Sequence, residues 1–250
     1  MEEKKLKERI CIGILAHVDA GKTTLSEEIL YRTGAIRNRG RVDNRDTFLD
    51  TDNQERARGI TIFSKQAVFT LDDWEVTLLD TPGHVDFSAE MERTLSVLDY
   101  AVLIVSGADG IQGHTETLWR LLKRYQVPAF VFVNKMDQPG TDREALLNEL
   151  KKRLSDTCVA FDPEGRAEAD QWQEEIAMCD EHLLEGYLSG NLIEDKQIRE
   201  MIRARKLFPC YFGSALKGQG VEELLGGIRT YAKCWEKDGE QERLGARVYK

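Results

Sequence analysis

An apolar run at residues 10–16 leads directly into the sequence A-H-V-D-A-G-K-T at 16–23, which is followed by a helical pattern over 23–32. The run has the length and composition of a buried strand, and the later residues repeat apolar side chains at helical spacing. A strand, a glycine-containing turn and a helix start, in that order, direct successive backbone N–H groups towards an anion. This feature predicts an α/β domain built around a phosphate-binding loop.

The residue types in this turn suit the phosphates of a nucleotide. Gly21 permits a tight backbone turn, the Lys22 ammonium can reach the β- and γ-phosphates, and the Thr23 hydroxyl can bind Mg²⁺. Ala16 stands where the general pattern has glycine. We expect nucleotide contacts from His17, Val18, Asp19, Ala20, Gly21, Lys22, Thr23 and Thr24.

The rest of the chain continues the alternation of strand and helix patterns. Further strands are predicted at residues 63–71, 74–80, 101–106, 129–134 and 208–213, and further helices at 90–98, 116–125, 143–154 and 221–234. The first two of these strands flank a tight turn near Asp72 and Asp73. Two others, at 101–106 and 129–134, are apolar throughout, as in parallel strands covered on both faces. The alternation predicts a mostly parallel central sheet with helices on both faces.

Two segments interrupt this alternation. Residues 36–59 are polar and have no clear period, and a loop of this length inside a domain is usually functional or disordered. Residues 155–205 form an insertion that we predict to be mainly helical. One helix face is indicated by the spacing of Trp172, Ile176, Cys179 and Leu183, and a second helix at 195–205 would turn Ile198 and Ile202 inward.

Composition limits the kinds of partner that the chain can have. Its 250 residues carry a formal net charge of −9, whereas a protein that binds nucleic acid by charge alone is usually basic. The five cysteines include no C-x-x-C pair, which argues against a zinc site and for a reducing compartment. No signal peptide or bilayer-spanning run is recognisable, so we predict a cytoplasmic protein with no membrane partner.

The sequence D-T-P-G-H at residues 80–84 follows the predicted strand at 74–80. Asp80 is placed to act as the acidic partner of Mg²⁺ in a phosphate-loop protein, and Gly83 can bring its backbone N–H close to a γ-phosphate. His84 comes next, where a group that positions the attacking water is expected. In R-G-I-T-I at 58–62, Thr61 is placed to offer Mg²⁺ a second hydroxyl when a γ-phosphate is bound.

The sequence N-K-M-D at residues 134–137 follows another apolar strand and indicates which base is bound. The Asp137 carboxylate can accept hydrogen bonds from N1–H and the 2-amino group of guanine, a donor pair that adenine lacks. Asn134 and the stem of Lys135 would hold the loop and the base. After the last strand, the backbone N–H groups of Ser214, Ala215 and Leu216 could meet the guanine O6.

These motifs together resemble the translational GTPases, and more narrowly elongation factor G and the tetracycline-resistance ribosomal protection proteins. The resemblance covers nearly the whole chain and lies in V-D-A-G-K-T at 18–23, R-G-I-T at 58–61, D-T-P-G-H at 80–84 and N-K-M-D at 134–137. The protection-protein branch is favoured by T-D-N before E-R at 51–56, D-Q-W at 170–172, and L-L with Y-L-S-G at 183–190. The insertion is also shorter than that of elongation factor G.

The resemblance implies a P-loop GTPase fold and a ribosome-stimulated GTPase that hydrolyses GTP to GDP and phosphate. Mg²⁺ would be bound by Thr23 and Thr61, and by Asp80 through a water. Asp19 would hold a monovalent cation such as K⁺ near the phosphates. Val18 and Ile60 would form an apolar gate around His84, which would be the catalytic residue that orients the attacking water.

The resemblance also implies partners and further domains. GTP, GDP and the ribosome, through its large-subunit RNA loop and stalk, would bind a monomeric protein. Residues 1–235 would form the GTP-binding domain, with the insertion at about 155–205, and residues 236–250 a linker and the start of a β-barrel domain.

Three alternatives remain open from the sequence. A translocation factor of the elongation factor G type would share every motif in this chain. A non-hydrolysing GTP-binding regulatory module is disfavoured by intact Thr61, Asp80 and His84, and an ATPase or kinase is disfavoured by Asp137.

Residues 36–60 are predicted to be mobile without a triphosphate, because few apolar side chains anchor them.

Overall fold

A computed structural model describes residues 8–38, 40, 65–81, 88–166 and 168–233. Seven strands in this part of the chain form one sheet in the order β2-β3-β1-β4-β5-β7-β6. The strands are β1 Glu8–Ala16, β2 Lys65–Leu71, β3 Trp74–Asp80, β4 Tyr100–Ser106, β5 Ala129–Asn134, β6 Cys158–Ala160 and β7 Phe208–Phe212. β2 and β3 are antiparallel and every other neighbouring pair is parallel, which confirms the predicted fold class.

Helices cover both faces of the sheet. Within the described residues they are α1 Lys22–Arg32, α2 Ser88–Leu95, α3 Gly113–Arg124, α4 Arg143–Arg153, α5 Ala169–Ala177, α6 Glu181–Leu188, α7 Asp195–Arg203 and α8 Val221–Tyr231. The strands and helices predicted outside the insertion agree with these bounds to within a few residues. Residues 63, 64 and 234, at the ends of two predicted elements, lie outside the described part of the chain.

Successive side chains of the central strands enter two different hydrophobic cores. Val102 and Ile104 of β4 join the core beneath α1, α8 and the inserted helices, whereas Leu103 and Val105 join the core beneath α2, α3 and α4. Side chains of a strand alternate between its two faces, so a fully apolar strand requires cover on both sides. All seven residues of β4 are buried accordingly.

The insertion differs from its prediction in two ways. Its first residues form β6, a three-residue strand that pairs with β7 and completes the edge of the sheet. The helix face proposed for residues 172–183 is divided between two helices, because α5 ends at Ala177 and α6 begins at Glu181. Asp180 caps α6 by accepting hydrogen bonds from the N–H groups of His182 and Leu183, at 3.1 and 3.4 Å.

The cap separates the two helices because the N-cap residue of a helix has an extended backbone, which a continuous helix could not accommodate. Asp180 has φ −152° and ψ 130°. The four side chains of the predicted face still pack into or against one core despite the break. The second predicted helix is confirmed as α7, with Ile198 and Ile202 buried.

Candidate nucleotide-binding site

The predicted motifs meet along one edge of the sheet. The loops after β1, β3, β5 and β7 all leave the carboxyl ends of parallel strands, which is where open α/β sheets bind their ligands. Asp80, the last residue of β3, lies beside Ile14 of β1 in the strand register. The Thr81 hydroxyl donates to the Ile14 carbonyl at 2.7 Å and fixes the end of β3 against β1.

The loop after β1 has a backbone geometry that suits phosphate binding. Asp19 and Gly21 have φ values of 61° and 93°, in the left-handed region. Gly21 occupies the N-cap of α1, so no side chain at that position bonds the N–H groups of the first helical turn. A helix start of this kind provides backbone donors and a positive partial charge to an anion.

Lys22 and Asp80 form a buried ion pair at the start of α1. The Lys22 Nζ lies 2.5 Å from the Asp80 Oδ1, and the two side chains are 9% and 0% exposed. The sequence assigned these residues separately to phosphate and to Mg²⁺, and the fold brings them into direct contact. Removing either partner would leave a buried charge, which is costly in a low-dielectric environment.

Asn134 joins three of the loops through its side-chain amide. Its Nδ2 donates to the Ala20 carbonyl of the phosphate loop at 2.8 Å, and its Oδ1 accepts from the Ala215 N–H at 2.8 Å. The residue is only 3% exposed. The Ala215 N–H, which was expected to meet guanine O6, therefore donates to Asn134 in this structure.

The loop after β7 lowers the pKa of the Asp137 carboxylate. A hydrogen bond from Ser214 is the largest cause that lowers the pKa of Asp137, and Lys217 adds to it. The Lys217 Nζ lies 3.2 Å from the Asp137 Oδ2. An ionised carboxylate accepts hydrogen bonds and donates none, which is the form required to receive two donors from guanine.

Two residues of this site were missed in the sequence. Lys217 could have been found, since it directly follows the Ser214–Leu216 segment. Asp109 lies near Lys135, with 3.9 Å between its Oδ2 and the Lys135 Nζ, and it accepts a 2.6 Å hydrogen bond from the Ser106 hydroxyl. Its only signal in the sequence was its position just after the carboxyl end of β4.

His17 packs against His114 of α3, with 5.8 Å between the ring centroids. The Nδ1 of His17 is buried and has no hydrogen-bond partner among the described residues. The contact between His17 and His114 was not foreseen because 97 positions separate the two residues in the sequence.

Several predicted site residues lie outside the described part of the chain. These are Thr61, Gly83 and His84, together with Ile60 of the proposed gate, most of residues 36–60 and the tail 234–250. Val18, Thr23 and Thr24 are described and are partly buried beside the phosphate loop. The described residues hold no group of three His, Cys, Asp or Glu side chains that could bind a metal ion.

The oxygen donors present suit Mg²⁺ that is bound jointly with a nucleotide. Mg²⁺ is usually held by one or two protein oxygens, by phosphate oxygens and by water, without an all-protein cage. Thr23 in the first turn of α1 and the Asp80 carboxylate at the end of β3 offer such oxygens on neighbouring elements.

Comparison with known proteins agrees with this geometry. The model of the elongation factor Tu GTP-binding domain matches residues 7–233. The chain belongs to this family of GTP-binding domains. A solved crystal structure of a protein from Thermus thermophilus superposes on the GTP-binding domain with a TM-score of 0.81 and 28% identity, covering 91% of this chain and 41% of that one.

Similar curated proteins carry names that refer to tetracycline resistance. The tetracycline resistance protein TetO of Streptococcus mutans is 40% identical over 249 residues, which cover 94% of this chain and 39% of that protein. The oxytetracycline resistance protein of Streptomyces rimosus is 43% identical over 243 residues, covering 88% and 37%. TetM of Enterococcus faecalis, from transposon Tn1545, is 41% identical over 254 residues, covering 96% and 39%. The chain thus spans about two fifths of the length of these relatives.

None of the described helices combines the length and the apolar character that crossing a bilayer requires.

Proposed function

We propose that this chain binds GTP with Mg²⁺ and hydrolyses it to GDP and phosphate when a ribosome stimulates it. The observation that carries the proposal is the bridge made by Asn134 between the phosphate loop and the loop after β7. This bridge holds the phosphate loop beside the loop after β7, whose Ser214 and Lys217 contact the Asp137 carboxylate. A ligand that satisfies both ends must combine phosphates with a base that offers two adjacent donors.

Each group has a defined task in the proposed reaction. The Lys22 ammonium and the N–H groups at the start of α1 bind the β- and γ-phosphates. Thr23, Thr61 and Asp80 would hold Mg²⁺, Asp80 through a water, and the bound ion would supply charge neutralisation at the phosphate oxygens. His84 orients the water that attacks the γ-phosphate. Phosphoryl transfer needs positioning and charge stabilisation more than new covalent chemistry.

We propose further that the whole protein is a ribosomal protection protein that acts against tetracycline. The support is the set of curated relatives at about 40% identity, whose names refer to resistance to tetracyclines. A monovalent cation at Asp19, the large-subunit RNA loop and stalk as partners, and a cytoplasmic monomer belong to this proposal. A translocation factor of the elongation factor G type is the second candidate, supported by the motifs that both groups share.

The test is a turnover assay on the full-length protein with GTP or ATP, with and without ribosomes, and with and without tetracycline. We expect GTP turnover to depend on ribosomes, ATP to be inert, and tetracycline to be displaced from ribosomes only when GTP is present. GTP binding without ribosome-dependent turnover would identify a regulatory module instead. Movement of transfer RNA without loss of bound tetracycline would identify a translocation factor.

A further inference from the structure

The last residue of α1, Arg32, connects this helix to the loop after β7. Its Nη2 donates to the Gly218 carbonyl at 2.6 Å, and its Nε donates to the Glu28 carboxylate, one turn earlier, at 2.7 Å. The Nη1 lies 3.2 Å from the Glu222 carboxylate, in the first turn of α8. One guanidinium group therefore contacts α1, α8 and the turn between β7 and α8.

The contact at Gly218 is tight. This residue has φ +70°, and an added Cβ would lie 2.7 Å from the Glu28 Oε1 and 2.8 Å from the Arg32 Nη2. The turn around it is closed by two backbone hydrogen bonds of 3.0 Å between Ser214 and Gln219. Because these bonds close the turn, a displacement of the Gly218 carbonyl would displace the whole segment from 214 to 219.

The partners of Arg32 are not equivalent. The Glu28 side chain is 3% exposed, whereas Glu222 is 72% exposed. The hydrogen bond to Glu28 is the largest cause that raises the pKa of Arg32. A buried carboxylate holds a guanidinium in place more firmly than a solvated one does. Glu28 therefore fixes the position of the Arg32 guanidinium. Arg32, through the Gly218 carbonyl, fixes the turn at residues 214–219.

This turn carries the residues that act on Asp137. Ser214 and Lys217 both bond the Asp137 carboxylate, and the Ala215 N–H donates to Asn134. We propose that Arg32 is a positioning residue for recognition of the guanine base. It acts through Gly218 and touches neither the base nor the phosphates, and the inference rests on the guanine-nucleotide binding proposed above.

One helix, α1, therefore positions residues at both ends of the proposed binding site. α1 has 11 residues, and at about 1.5 Å per residue it is roughly 16 Å long. Its first residue, Lys22, belongs to the phosphate loop and its last residue holds the base-binding turn. Loss of the Arg32 contact should therefore weaken the binding of guanine nucleotides and leave the contacts to the phosphates intact.

The experiment compares GDP and ADP, which share ribose and phosphates, as competitors against a labelled GDP on the full chain. For Arg32→Ala we expect GDP affinity to fall about tenfold, because a hydrogen bond from a charged donor is lost. ADP affinity should stay within about twofold of the parent value, so the preference for GDP falls by the same roughly tenfold factor. Arg32→Lys keeps the charge but cannot form the forked contact, and it should lie between parent and Arg32→Ala.

Arg229→Ala is the matched control. Arg229 lies on α8, the helix that also carries Glu222; its Nε is 3.5 Å from the Asp72 carboxylate, and its side chain is 54% exposed. This variant loses an arginine without touching the turn, so both nucleotides should bind as they do to the parent. Glu222→Gln removes the solvated partner of Arg32 and should change GDP affinity by at most about twofold.

Two outcomes would overturn the inference. Equal loss of GDP and ADP affinity in Arg32→Ala would mean that the residue acts on the phosphate loop, through α1 or through the Asn134 bridge, and not on recognition of the base. Unchanged GDP affinity in a folded Arg32→Ala or Arg32→Lys protein, checked by its thermal unfolding, would mean that the contact is only a surface ion pair. If the parent itself shows no preference for GDP, the proposed function fails, which is a separate result.

Discussion

Gly21 shows how a single residue type is required by two conditions at once. Its φ of +93° lies in a region that L side chains rarely adopt. An added Cβ would also lie 2.2 Å from the Nδ2 of Asn134, the group that bridges the loops. A side chain at this position would therefore strain the backbone and push Asn134 away from Ala20.

We expect Gly21→Ala to abolish GDP binding and Gly34→Ala to leave it unchanged. Gly34 shares the left-handed backbone, with φ +73°, but nothing lies within 4 Å of an added Cβ. Both variants should lose roughly 1–2 kcal/mol of unfolding free energy from backbone strain. Nucleotide titration and thermal unfolding of the two proteins separate strain from the clash. Normal GDP affinity in Gly21→Ala would contradict the contact with Asn134.

A second prediction at this scale concerns the choice of base. Asp137→Asn should weaken GTP by at least about 10²-fold and gain binding of xanthosine triphosphate. An amide presents a donor to the 2-amino position, where guanine also has a donor, whereas xanthine has an oxygen there. Asp142→Asn is the control, because that exposed carboxylate caps α4 by accepting from the Ala145 N–H. Equal GTP affinity in Asp137→Asn and the parent would refute the assignment.

At the scale of elements, spacing in the sequence predicted most strands and helices, and it placed the motifs directly after strands. It did not predict β6, because three residues give no measurable alternation and pairing with β7 depends on a distant part of the chain. It also merged α5 and α6, since the apolar spacing continues across Asp180. The bonds from Asn134 to Ala20 and Ala215 depend on the sheet order, which spacing along one chain does not determine.

We expect Asp180→Ala to destabilise the inserted helices by about 1 kcal/mol, the usual cost of losing an N-cap. Glu168→Ala is the control, because Glu168 occupies the N-cap of α5 without a capping hydrogen bond from its side chain. Denaturant unfolding of both variants beside the parent measures the difference. Equal losses in the two variants would show that the cap of α6 contributes nothing.

The contribution of Asp180 to the free energy of unfolding should depend on pH. The hydrogen bond from Lys206, followed by those from the N–H groups of Leu183 and His182, lowers the pKa of Asp180 below its usual 3.8. A carboxylate with a lowered folded pKa contributes stability above its unfolded value and loses it as pH falls through the folded value. The stability gap between parent and Asp180→Ala should therefore be full at neutral pH and shrink below about pH 3.8.

At the scale of the whole molecule, we expect none of the motifs to supply an arginine that stabilises the transition state in cis. We therefore expect the chain alone to bind GTP and to hydrolyse it very slowly. Stimulation has to come from a partner, for which we propose the ribosome. Single-turnover assays on the chain with and without ribosomes measure this, and fast hydrolysis by the chain alone would contradict it.

His84→Ala in the full-length protein should leave GTP affinity nearly unchanged and reduce ribosome-stimulated turnover by orders of magnitude. The reason is that a group that orients water acts mainly in the transition state and does not hold the bound nucleotide. A nucleotide titration beside a single-turnover assay separates the two effects. Turnover at the parent's rate would give His84 a structural role only.

The short strand β6 has a consequence for anyone who shortens or labels this protein. Because residues 158–160 belong to the sheet, excising residues 155–205 would strip a strand from β7 and remove Trp172 and Ile176 from the core. The inserted segment is thus an integral part of the sheet and the core, and it cannot be removed as a separate unit. A tag or reporter is better placed in the turn between α6 and α7, where Gly190 has open space around it and Leu192 is 75% exposed.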